Sequence, residues 1–96
     1  MPDRQKIIYS NHAVKQMFQR DISPKEIELA LQKGEIIKEY PTDKPYPSKI
    51  LLDYSNNRPI HIVYSYNLTE GTYIIITAYV PNTELWENDF KTRKKQ

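Results

Sequence analysis

Ninety-six residues, 39% of them hydrophobic and 27% charged, describe one globular domain, because a chain this short has room for a single core. Absence of cysteine excludes disulfides, thiolate chemistry and cysteine-based zinc sites, and only two glycines leave no phosphate-cradling glycine loop. The formal charge of +2 is modest, but Lys91, Arg93, Lys94 and Lys95 make 91–96 a basic tail suited to a phosphate backbone or an acidic partner.

In chain order, Met1–Lys6 is polar and charged, so no secretory leader is expected. No apolar run approaches the ~18 residues of a membrane span. The expectation is a cytoplasmic protein without a membrane segment. Ile7-Ile8-Tyr9 offers a first strand or an extended lead-in. Ser10 or Asn11 can then cap a helix over about His12 to Gln19. On it Ala13, Val14, Met17 and Phe18 have core-facing spacing, while His12, Gln16 and Arg20 run along an adjacent flank. Ser23-Pro24-Lys25-Glu26 is a capping box with proline at the first helical position, and it opens a second helix with Ile27, Ala30 and Leu31 on one face. Gly34 reads as its left-handed terminator.

Glu35–Tyr40 alternates as a strand, and the proline-rich stretch Pro41–Pro47 is a loop. Lys49–Tyr54 is the next strand, turned by Ser55-Asn56-Asn57-Arg58 into Pro59–Tyr66. Asn67–Gly71 then leads into Thr72–Val80 as a hairpin. After Pro81, Thr83 can cap a short helical segment holding Leu85 and Trp86, with Phe90 a last anchor. Helices clustered before strands predict an α+β fold. Its form is two N-terminal helices packed on one face of a four-stranded, mostly antiparallel sheet, in a single domain over 1–96.

Alternation sets the expected register of the last two strands. If Ile60, Ile62 and Tyr64 share the buried face with Ile74, Ile76, Ala78 and Val80, the opposite face carries His61, Val63, Ser65, Tyr73, Ile75, Thr77 and Tyr79. The chain has two histidines, His12 and His61. Two imidazoles beside cations suit metal-independent RNA cleavage: one takes the 2′-hydroxyl proton and the other protonates the leaving 5′-oxygen. Arg20 is the first choice for a phosphate-binding group, and Arg58 and Arg93 are weaker ones. Tyr79 can donate a hydrogen bond or stack on a base. No zincin spacing occurs, and a His-His-carboxylate set would have to draw on distant Asp53 or Asp89. Neither a metal nor another cofactor is therefore expected.

Four blocks carry a resemblance: Ser10-x-His12-Ala13-x-x-x-Met17-x-x-Arg20-x-Ile22-Ser23, Gly34-Glu35-Ile36-Ile37, Arg58-Pro59-x-His61-x-Val63, and Thr77-Ala78-Tyr79-x-Pro81. Together, from about Ile7 to Arg93, they resemble a domain-of-unknown-function family of small bacterial and archaeal proteins grouped with RelE-type and barnase-like ribonuclease toxins. The resemblance implies a toxin-like α+β fold, RNA as substrate, and a zinc-ribbon antitoxin resembling MqsA as partner. It points to His12, Arg20, His61 and the Thr77/Tyr79 strand. The chain departs from the pattern at Gln16, where arginine is common, and at Asp21, where glycine is usual.

Two readings stand at this point. The first is a type II toxin-like, metal-independent endoribonuclease with His61, His12, Tyr79 and Arg20 as catalytic candidates. His61 ranks above His12, because helices on the even-numbered face would put His12 on the far side of the sheet. Thr77, Arg58, Arg93 and Lys94 are the RNA-binding candidates. The second is a non-catalytic RNA- or protein-binding module of the same fold.

Overall fold

The computed structural model describes residues 6–95. The polar leader before Lys6 and the last residue of the basic tail, Gln96, lie outside them. The elements are β1 (Lys6–Tyr9), α1 (Asn11–Arg20), α2 (Pro24–Lys33), β2 (Glu35–Tyr40), β3 (Ser48–Ser55), β4 (Arg58–Asn67) and β5 (Thr72–Tyr79). The fold is α+β, with two helices and one mixed sheet of order β1-β5-β4-β3-β2. The expected four strands become five because Ile7-Ile8-Tyr9 pairs in parallel with β5, Tyr9 lying opposite Ile75. The other three pairings are antiparallel.

Both helices start as their sequences dictate. Ser10 accepts from the Ala13 amide at 2.9 Å, and Ser23 and Glu26 close the capping box reciprocally at 3.2 and 2.8 Å. The helix ends differ from expectation. Gly34 is extended (φ −70°, ψ 165°) and not left-handed. Glycine is needed there because a β-carbon would lie 2.6 Å from the Ala30 carbonyl oxygen and 3.2 Å from that of Leu52. The left-handed terminator is Asp21 (φ 56°), where the resemblance has glycine.

The core lies between the helices and one sheet face, joining Ala13, Met17, Ile27 and Ala30 to Leu51, Ile60, Ile62, Tyr64, Ile75 and Ala78. Val14 and Phe18 do not join it: they are 55% and 88% exposed. Helical periodicity admits either of two adjacent stripes, and tertiary hydrogen bonds choose between them. The Ser10 hydroxyl donates to the Ile76 carbonyl at 2.9 Å and the Ser10 amide to that of Ile75 at 3.1 Å. Pinned there, α1 turns Ala13 and Met17 to the sheet and leaves Phe18 in water.

Those carbonyls belong to a β-bulge. His61 pairs with Tyr79, Ile62 with Ala78 and Val63 with Thr77, as alternation requires, but Tyr64 pairs with Ile75. Ile76 is the extra residue, and it flips the remainder of β5. Tyr73 and Ile75 therefore lie on the helix face and not beside His61. The expected shared face shrinks to His61, Val63, Ser65, Thr77 and Tyr79, with Ile74 opposite Ser65.

Candidate functional site

The second sheet face is not open. After β5 the chain crosses it, and no helix forms over 81–95. The Asn82 side chain, not Thr83, caps a turn by accepting from the Glu84 amide at 2.6 Å. Trp86 bridges to Arg93, Glu87 N–H donates to Thr92 O, Lys94 N–H donates to Leu85 O, and Asp89 Oδ1 accepts from the Lys91 and Thr92 amides. These amides hold the Asp89 carboxyl below its usual pKa. The basic tail is thus, through Lys95, a folded strap. Lys91 reaches Glu35 on β2 at 3.0 Å, and the Arg93 guanidinium lies 5.4 Å from the Trp86 ring centroid.

His61 lies under this strap with no exposed surface. Its Nε2 is 2.7 Å from the Phe90 carbonyl oxygen, which can only accept, so Nε2 carries the proton. Nδ1 is left to accept from the Tyr79 hydroxyl at 3.2 Å. Trp86 closes over the imidazole edge-on, centroids 4.5 Å apart. Burial lowers the His61 pKa more than the Phe90 hydrogen bond raises it, and burial raises that of Tyr79. An imidazole with both nitrogens occupied and its neutral form favoured fastens the strap to the sheet. It is not presented to a polynucleotide.

The remaining candidates are dispersed. His12 and Arg20 are exposed on α1, which packs on the helix face, whereas His61 faces the other way, so the two imidazoles do not meet. Thr77 is half-buried on the His61 face. Arg58 donates to the Arg20 and Asp21 carbonyls at 2.8 and 2.9 Å and contacts the Glu26 carboxylate at 3.3 Å, tying the end of α1 to the start of α2. Arg93 lies against Trp86, and Lys94 is exposed with its amide in the strap. Asp53 is paired with Lys33 at 2.6 Å.

Two surfaces were not anticipated. One is the outer face of α1, with Asn11, His12, Val14, Lys15, Phe18, Gln19 and Arg20 exposed. The helix holds no acidic residue between Asn11 and Arg20, and Phe18 is exposed on it. The other is a tyrosine ladder that the bulge creates: Tyr73 sits 5.7 Å from Tyr64 and 4.7 Å from Tyr66 between ring centroids. The only signal for the first was the ambiguity of the helical stripe. For the second the signal was the run Ile74-Ile75-Ile76, which breaks the alternation where the bulge falls.

The class these features define is a small α+β domain: two capped helices on a mixed five-stranded sheet whose second face is crossed by the chain's last segment. The family model described as a domain of unknown function, DUF4258, matches residues 9–80, well over half of the chain, and the chain belongs to that family. The match ends at the end of the sheet, so the strap lies outside it. No significant match was found among the curated proteins or the solved structures.

Proposed function

We propose that this domain is a non-catalytic RNA-binding module that engages single-stranded RNA through the outer face of α1. The observation that carries the reading is Phe18, 88% exposed on a helix without a single carboxylate. A large aromatic ring in water offers a stacking surface to any base, and Lys15 and Arg20 supply charge for phosphates. Among the described residues neither cation makes an ion pair. A large contiguous apolar patch would favour protein docking instead. On α1 itself the other exposed large apolar residue is Val14; Lys15, Gln19 and Arg20 are exposed with it, and Asp21 caps the helix end.

The test is fluorescence anisotropy with a labelled single-stranded RNA across a salt series. Phe18→Ala is expected to weaken binding ~5- to 100-fold, and Arg20→Met to reduce the salt slope by ~0.7. Wild-type affinity in both variants refutes the reading, as does release of cleaved product.

A RelE-type ribonuclease toxin with an antitoxin partner is the second reading. Two observations favour it: the imidazole of His61 touches the Tyr79 phenol on the face that also bears Thr77, and the covering strap lies outside the family match. It requires the strap to leave. RNA cleavage by the wild type, abolished in a His61→Ala variant whose circular dichroism shows it still folded, would establish it over the first.

A further inference from the structure

A cavity of about 210 Å³ opens at the end of the sheet, lined by Pro47, Lys49, Tyr64, Tyr66 and Leu68. It lies on the helix-bearing side. Leu51, opposite Ile62, is in the core there, and Lys49, opposite Tyr64, and Tyr66 follow at two-residue steps along the same strands. None of its walls belongs to α1 or the strap.

We infer that this cavity is a second RNA subsite, which takes one unpaired nucleobase against the Tyr66 ring with a neighbouring phosphate on Lys49. The inference rests on the RNA-binding reading and assigns it a site that α1 does not contain. The walls are aromatic and aliphatic, suited to the face of a flat ring. Tyr66 is held for this purpose. Its ring leans on Tyr73 at 4.7 Å, and its hydroxyl lies 3.7 Å from where a β-carbon on Gly71 would stand, so the hairpin turn backs it. Leu68, 86% exposed, forms an apolar lip.

Charge selects the occupant. Lys49 is the one charged residue in the lining, and the ligand chemistry it complements is anionic. Glu39 stands opposite Lys49 in the β2–β3 register and its charge reaches Tyr64, but among the described residues no ion pair joins it to Lys49. A proline-rich peptide also fits aromatic walls, but it supplies no negative charge for Lys49.

The experiment measures anisotropy of the same single-stranded RNA on the full chain carrying Tyr66→Ala, Tyr66→Phe, Lys49→Met or Leu68→Glu. Tyr66→Ala is expected to weaken binding ~5- to 100-fold while Tyr66→Phe retains it, since the ring and not the hydroxyl is used. Lys49→Met should lower the salt slope by ~0.7. Leu68→Glu changes only an exposed residue, so it tests the lip without threatening the fold, and its carboxylate should repel the phosphate and weaken binding. Wild-type affinity in Leu68→Glu and Lys49→Met overturns the subsite. If Phe18→Ala weakens binding while these variants do not, the subsite falls and the RNA reading stands. If the wild type does not bind RNA, both fall. Saturable binding of a proline-rich peptide that Leu68→Glu leaves intact, with no effect of the groove variants on RNA, also overturns the subsite.

Discussion

His61, a catalytic candidate in the sequence, makes structural contacts in the fold. Its two nitrogens satisfy a backbone carbonyl and a phenol that the strap would otherwise bury without partners. His61→Ala removes both hydrogen bonds and opens a cavity beneath Trp86, so a loss of ~2–4 kcal/mol in urea-unfolding stability is expected. The pH dependence has a definite sign. The unfolded chain takes up this proton near pH 6.5, whereas burial holds the folded pKa lower. The neutral imidazole therefore contributes stability that is fully present above pH 6.5. That stability is lost as pH falls from 6.5 through the lower, folded value. Melting curves for wild type and His61→Ala should converge over that window. Parallel curves would show that His61 is not the coupled group.

At the scale of the elements, start signals were easily read and end signals were not. A cap such as Ser23 with Glu26 is a local geometry, four residues long, and it forms wherever those residues stand. Gly34 is different: its extended backbone brings a β-carbon position within 2.6 Å of the Ala30 carbonyl oxygen, and packing on β3 adds the Leu52 carbonyl at 3.2 Å. Gly34→Ala is accordingly expected to destabilise by ~1–3 kcal/mol despite the lower backbone entropy of alanine in the unfolded state. Chemical denaturation measures it, and a stabilising outcome would mean that the close approach to Ala30 relaxes at little cost. The same distinction explains α1. Its cap and length were legible, but its rotation was set by Ser10 bonding to carbonyls on β5, and Val14 and Phe18 were consequently misjudged as core.

For the molecule as a whole, the strap makes the domain two-sided. Helices cover one sheet face, and Trp86 with Phe90 covers His61 on the other. Ile50 and Leu52 are also buried on that second face, so unfolding the strap alone would expose apolar surface along with an unpartnered imidazole. Trp86 is the chain's single tryptophan and reports the strap directly. Its fluorescence and the far-ultraviolet circular dichroism should change together in urea, as one cooperative unit. A tryptophan transition at lower urea than the helix signal would instead identify the strap as a separately opening segment, the condition on which the ribonuclease reading depends.

By itself the sequence determined the α+β class, the starts of both helices, the Asn56-Asn57 hairpin and the placing of His61 with Thr77 and Tyr79 on one sheet face, because periodicity, caps and turns act between residues close in the chain. Only the tertiary structure decided the fifth strand, the bulge at Ile76, the exposure of Phe18 and the sealing of His61. Each of these turns on a contact between distant segments: Tyr9 with Ile75, Ser10 with Ile76, Phe90 with His61. No local pattern records such partners, since what selects them is the free energy of closing the whole core.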